Sequence, residues 1–285
     1  MFICFDSLFV LYWVLALSGV PVLILTADTL SLPERILLFA GCIIWIFIVA
    51  IVLSLIAQKR VERIDKVRTE RCQVREALAA YEQIAAKKRV MRNKTVRRAV
   101  LVGLSAQYIT LGDTARAAWL LGQIDIPPVK NATTAITAAA YCNNYYCVFL
   151  QENNIDRAEQ ALSDLKRILD SPKMADIYKS KLLPLYQGKV LALKLAKGEF
   201  EGLDVAVELL MQNADNLLTK VSDHKMLAEI YHRTGRDAQA RDSLRFILEN
   251  GGDTYYVGWA QAYLASMNPP TANDNIRNEN GNFEN

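Results

Sequence analysis

Few residues of this 285-residue chain have both the type and the spacing that chemistry needs. There are two histidines, His224 and His232, eight positions apart. On one helix that is roughly two turns, so they share a face but stand too far apart to ligate one metal directly. The five cysteines, Cys4, Cys42, Cys72, Cys142 and Cys147, are scattered and form no CxxC pair. An odd number of thiols in apolar or helical runs reads as free, buried thiols in a reducing compartment, not disulfides or zinc ligands. Gly188-Lys189 lacks the Ser or Thr that follows, and the glycine that precedes, in a P-loop. Gly198 to Gly202 reads as a turn. No GxSxG or HExxH occurs. The carboxylates are spread along helix faces, where solvation and i,i+4 pairing account for them. The sequence thus offers no catalytic residue, no metal ligand set and no cofactor site, and the chain reads as a protein that is not an enzyme.

With no constellation to position, the elements themselves carry the information. The chain is 52% apolar and 22% charged, which excludes a disordered or collagen-like polymer. Its net charge of +3 hides a segregation. Residues 1–58 carry one positive and three negative charges, residues 59–98 a net of +9, and the rest a net of −4.

Two stretches are uncharged and apolar, 7–27 and 36–58. Each has about the 20 residues that a membrane-crossing helix needs. The eight residues between them, DTLSLPER, predict a tight transmembrane helical hairpin, a membrane anchor over 1–58. A cleaved signal peptide is disfavoured, since Asp6 is the only charge before the first run and that run is long. Lys59, Arg60, Arg63, Lys66 and Arg68 follow the second stretch at once. The positive-inside rule then places residues 59–285 in the cytoplasm, with these five side chains on anionic lipid of the bilayer. The location read from this is integral to a membrane, and Asn93 and Asn131 are then only chance glycosylation motifs.

From Lys59 to Arg98 there is neither Pro nor Gly, so a basic juxtamembrane helix is expected over 59–98, continuous with the apolar one. Ile64, Val67, Val74, Leu78, Tyr81 and Ala85 fall on a 3-4 alternation broken by Arg71. That stripe packs either on the following helices or against a second copy, a homo-oligomer through 60–85. Lys87, Lys88, Arg89, Arg92, Lys94, Arg97 and Arg98 raise nucleic acid as a partner, but charge without aromatic interleaving or a recognisable motif makes it a poor fit.

Residues 99–267 read as helix after helix, and a frame recurs in them. An aromatic is followed four later by a turn residue, five later by a small Ala, and four later by Leu. The copies are Tyr108, Gly112, Ala117, Leu121; Phe149, Asn153, Ala158, Leu162; and Tyr231, Gly235, Ala240, Leu244. A copy around Gly198 is degenerate, with Lys194 and Leu203 in the aromatic and small places. Physically this is a helical hairpin. Gly or Asn takes the left-handed position that ends the first helix. Ala admits the second helix closely, Leu starts its buried stripe, and hairpins stack to hide their apolar faces. The fold class expected is all-α, with an α-solenoid of about four hairpins after the anchor. Asp253 to Ala265 suits a capping helix, and 268–285 a disordered polar tail.

The frame resembles the tetratricopeptide repeat, best in Leu227, Ala228, Tyr231, Gly235 and Ala240, and again in Leu104, Tyr108, Gly112 and Ala117. The turn positions 112, 153, 198 and 235 are spaced more widely than that family's usual period. Two apolar helices, a basic stretch and cytoplasmic hairpins also resemble the architecture of HemY-type bacterial inner-membrane proteins, and 97–121 echoes their first repeat. The resemblance implies an interaction scaffold or adaptor of the bacterial cytoplasmic membrane, holding a protein or peptide partner in a groove. On the family's geometry Lys225, Glu229, His232 and Arg233 of the last repeat, with Asn143 and Gln151 of the second, face that groove. The alternative is a subunit of a membrane-associated enzyme complex, or an enzyme with a small-molecule pocket among the helices.

Overall fold

The computed structural model describes residues 31–126 and 128–267, apart from the side chains of a few residues inside helices. The expected first span 7–27 and the tail 268–285 lie outside the described residues, as do Cys4 and the side chains of Cys42, Arg60 and Arg89. Every described element is a helix. In chain order they are α1 (Leu32–Arg71), α2 (Val74–Ala85), α3 (Lys88–Arg92), α4 (Lys94–Leu111), α5 (Thr114–Gly122) and α6 (Ala132–Gln151). There follow α7 (Ile155–Leu169), α8 (Asp176–Ala196), α9 (Leu203–Gln212), α10 (Leu217–Arg233), α11 (Asp237–Asn250) and α12 (Tyr255–Met267). They group into two compact units, one from residues up to Lys66 with Ala80–Arg97, the other from Val67–Ala79 with Arg98 onward.

Among the described residues no helix is long and apolar enough to cross a membrane. This corrects the transmembrane hairpin and the anchor over 1–58, and with them the integral, bacterial-membrane location. Counting apolar letters over 36–58 treats them as one lipid-facing rod, but spanning takes a sustained apolar helix. α1 as a whole is not such a helix: its 40 residues run from a Ser31–Glu34 cap into the charged stretch that begins at Lys59. Lys59, Arg60, Arg63, Lys66 and Arg68 all fall on the charged C-terminal stretch of α1. The single basic helix over 59–98 is also corrected, since the chain breaks after Arg71, Ala85 and Arg92.

The first of those breaks has a tertiary cause. Cys72 adopts a left-handed φ of +52° and is fully buried. It packs with Val221, Ala228, Leu244, Ile247 and Ala260 of α10, α11 and α12. Its carbonyl accepts from the Asp253 amide at 3.1 Å. In return the Asp253 carboxylate accepts from the Val74 and Arg75 amides at 2.5 and 2.9 Å. One side chain thus satisfies two orphan donors at the start of α2, where the helix dipole also favours negative charge. Gly252, at φ +56°, has no alternative: a Cβ there would meet the Cys72 carbonyl oxygen at 2.4 Å.

From α4 onward, α4 and α5 are joined by a tight turn, α6–α7, α8–α9 and α10–α11 pack as hairpins, and α12 packs on α10 and α11. The four turn residues Gly112, Asn153, Gly198 and Gly235 all have left-handed φ, between +56° and +85°. Each is followed by the same closing bond. Asp113 donates to Tyr108, Asn154 to Phe149, Glu199 to Lys194 and Arg236 to Tyr231, at 2.7–3.1 Å. That is the Schellman closure, backbone N–H to a carbonyl five residues back. The copy that reads as degenerate therefore closes like the others. Ala117, Ala158 and Ala240 are fully buried, as the close helix approach requires. In the α8–α9 hairpin Leu203 fills that place, and the connection lengthens to residues 197–202 with a second left-handed glycine, Gly202.

Alternate helices also touch one another, α6 to α8, α8 to α10 and α10 to α12. They make an inner layer, and α7, α9 and α11 back it. The layer curls until its last helix returns to the first turn. A Cβ on Gly112 would lie 2.9 Å from the Tyr255 Cβ, so glycine is needed there for space as well as for φ.

Candidate functional site

The curled inner layer encloses a cleft of about 560 Å³. It is lined by α4, α6, α8 and α10, by the connection before Asn216, by Arg68 and Thr69, and by Tyr255 and Tyr256 of α12.

Its polar groups can be built from the backbone outward. The Val102 carbonyl on α4 can only accept, so Asn144 turns its amide nitrogen to it, at 2.9 Å. The same nitrogen reaches Ser105 Oγ at 2.9 Å. The Asn144 oxygen is left to accept, and Asn143 Nδ2 donates to it at 3.2 Å. Asn143 Oδ1 is therefore turned away, buried and without a partner. A turn later, the Tyr146 hydroxyl donates to the Lys189 carbonyl at 2.6 Å, which ties α6 to α8. Gln151 Nε2 donates to the Ile109 carbonyl at 3.2 Å and ties α6 to α4.

Across the cleft Asp223 on α10 is 4% exposed, and its Oδ2 has no hydrogen-bond partner. Burial pushes its carboxyl up to about 7, against the pull of the Lys189 ammonium. Lys189 lies within electrostatic reach of Asp223, with its ammonium over the Tyr146 ring at 5.7 Å. Burial lowers its pKa, but Cys147, Tyr256 and Asp223 outweigh that and leave it raised. The cleft floor thus holds a cation and an anion that do not close on each other in a salt bridge. Tyr255, its ring 4.2 Å from that of Tyr256, has its hydroxyl pKa driven well up by burial.

The six groove residues expected from the sequence divide. Asn143, Gln151 and Lys225 line the cleft. Asn143 and Lys225 hold the same place in the frame, ten residues before the turn residue. Glu229, His232 and Arg233 are not among its lining. Glu229 accepts a short charge-assisted bond from Lys225, whose ammonium also lies 4.6 Å from the Trp259 ring centre. His232 Nδ1 pairs with Asp237 at 2.8 Å and its ring meets Tyr263 edge-on. The Arg233 guanidinium covers Phe200 at 4.9 Å. The other histidine, His224, stacks on Phe246 at 3.9 Å, and burial lowers its pKa.

Sequence reasoning missed Asp223, Lys189 and the two tyrosines. Lys189 came into view only as half of a failed phosphate motif. A usable signal existed in the frame: Gly188 stands ten before Gly198, the place of Asn143 and Lys225. Among the described residues no group of three His, Cys, Asp or Glu side chains is placed to hold a metal ion. Cys72, Cys142 and Cys147 are free thiols. Burial pushes Cys72 and Cys142 up to about 11, which leaves them poor nucleophiles.

Comparison with family models, with curated proteins and with solved structures returns no match.

Proposed function

We propose that this chain is a protein-interaction module of the tetratricopeptide type, which seats a segment of a partner polypeptide in the cleft of its inner helices. The observation that carries the reading is the cleft itself. Stacked helical hairpins present their inner helices as one continuous surface. Here that surface is lined with amides, hydroxyls and charges, and some of its buried polar groups lack partners. A peptide brings a donor and an acceptor at every residue and answers such a surface along its length. Lys225, Asn143 and Gln151, expected on the groove, line this cleft.

The test is selection of peptides from a displayed random library on the purified chain. A selected peptide carrying a photo-reactive group is expected to cross-link to residues that line the cleft, Tyr255, Tyr256 and Asn216 among them. Cross-links confined to the outward face of α9, where Val205 and Leu209 are 67% and 61% exposed, would contradict the reading.

A further inference from the structure

We propose that the cleft recognises the free amino terminus of a partner polypeptide, Asp223 taking the ammonium group and Lys189 the neighbouring carbonyl oxygen. This rests on the reading of the cleft as a seat for a protein segment and names the chemistry of that segment.

Three observations carry it. First, Asp223 is 96% buried yet Oδ2 has no donor. A carboxylate in such a place is costly until a donor reaches it. Second, Asn143 Oδ1 is a further buried acceptor without a partner, on the same cleft, and its orientation is dictated by the Asn144–Val102 bond behind it. Third, Lys189 is the cation within reach of Asp223, and Cys147, which contacts it, lies one turn from Asn143 on α6. The site is therefore dipolar. A lysine or arginine side chain would satisfy Asp223 but bring like charge toward Lys189. A carboxylate alone would do the reverse. An amino terminus carries an ammonium and a carbonyl oxygen on adjoining carbons and answers both, with donors left for Asn143. A free amino acid offers the same chemistry, but the cleft is several times larger than one small amino acid, which favours the end of a chain.

The experiment titrates the full chain, by calorimetry or nuclear magnetic resonance, with three probes: Ala-Ala-Ala-amide, its N-acetyl form, and free alanine. The free-amine tripeptide is expected to bind, with acetylation weakening it about tenfold or more. Asp223→Asn is expected to erase the difference between the two peptides, while the thermal transition shows the variant folded. The acetylation contrast on the unaltered chain needs no variant at all. Equal binding of the two peptides would overturn the proposal and leave the seat standing. No binding of either would also overturn it, while peptide selection on the chain decides the seat independently. Free alanine binding as tightly as the tripeptide would overturn the partner-terminus assignment in favour of an amino acid ligand.

Discussion

Asp223 is where the chemistry of single residues says most. Its carboxyl titrates at about 7 in the folded chain against an ordinary 3.8. The folded state therefore holds this proton more tightly than the unfolded one, and stability falls as pH rises from about 4 to 7. The charged group that acts on it is Lys189 from α8, and Arg68, Cys147 from α6, Tyr255 and Tyr256 from α12 and Lys225 line the same cleft. Of these Lys189 opposes the shift. Asp223→Asn removes the buried charge, so it should stabilise the fold by about 2–4 kcal/mol at pH 8 and have little effect near pH 4. Thermal melts of both proteins across that range check the sign. Sequence could not reveal this residue, because Asp223 on its own is one more carboxylate on a helix. Its meaning comes from Lys189 and Asn143, which lie far from it along the chain. The two histidines, eight positions apart on α10, take partners on α11, Phe246 and Asp237.

At the scale of elements, the hairpin frame was legible because its determinants are local. A left-handed turn residue, its closing hydrogen bond and a small Ala all lie within ten residues of one another. The turn glycines differ in a way that can be measured. Gly235 has open space around a Cβ, so Gly235→Ala should cost only the left-handed strain, about 1–2 kcal/mol. Gly112→Ala adds the collision with Tyr255 and should cost more. Chemical denaturation of the two variants orders them. Ala158→Leu should cost about 1–3 kcal/mol by the same assay, because the Ala is fully buried between two helices. The break at Cys72 was not legible. Nothing in Arg71-Cys72-Gln73 disfavours a helix, and the cause lies in Gly252 and Asp253, far off in sequence. Asp253→Ala should cost about 1–2 kcal/mol and raise amide exchange at Val74 and Arg75. The apolar run of 36–58 does lie within one helix, α1, but among the described residues no helix qualifies as a membrane span.

For the molecule as a whole, segregation of charge pointed to distinct parts, and every described element is helical, as expected. What the linear pattern withheld was curvature. An open groove was expected from the family geometry, with Glu229, His232 and Arg233 upon it. The inner layer instead returns to its own first turn through Tyr255, and those three side chains are taken up by Lys225, Asp237 and Phe200. The cleft so enclosed is the central claim. One measurement tests it most directly: the dissociation constant of a library-selected peptide for the unaltered chain, for Ser222→Trp and Ser180→Trp, which fill the cleft, and for Val205→Glu on the exterior. The account predicts that both cleft variants weaken binding at least tenfold, about 1.4 kcal/mol, while Val205→Glu leaves it unchanged. Undiminished binding to folded Ser222→Trp and Ser180→Trp, with loss in Val205→Glu, would contradict it.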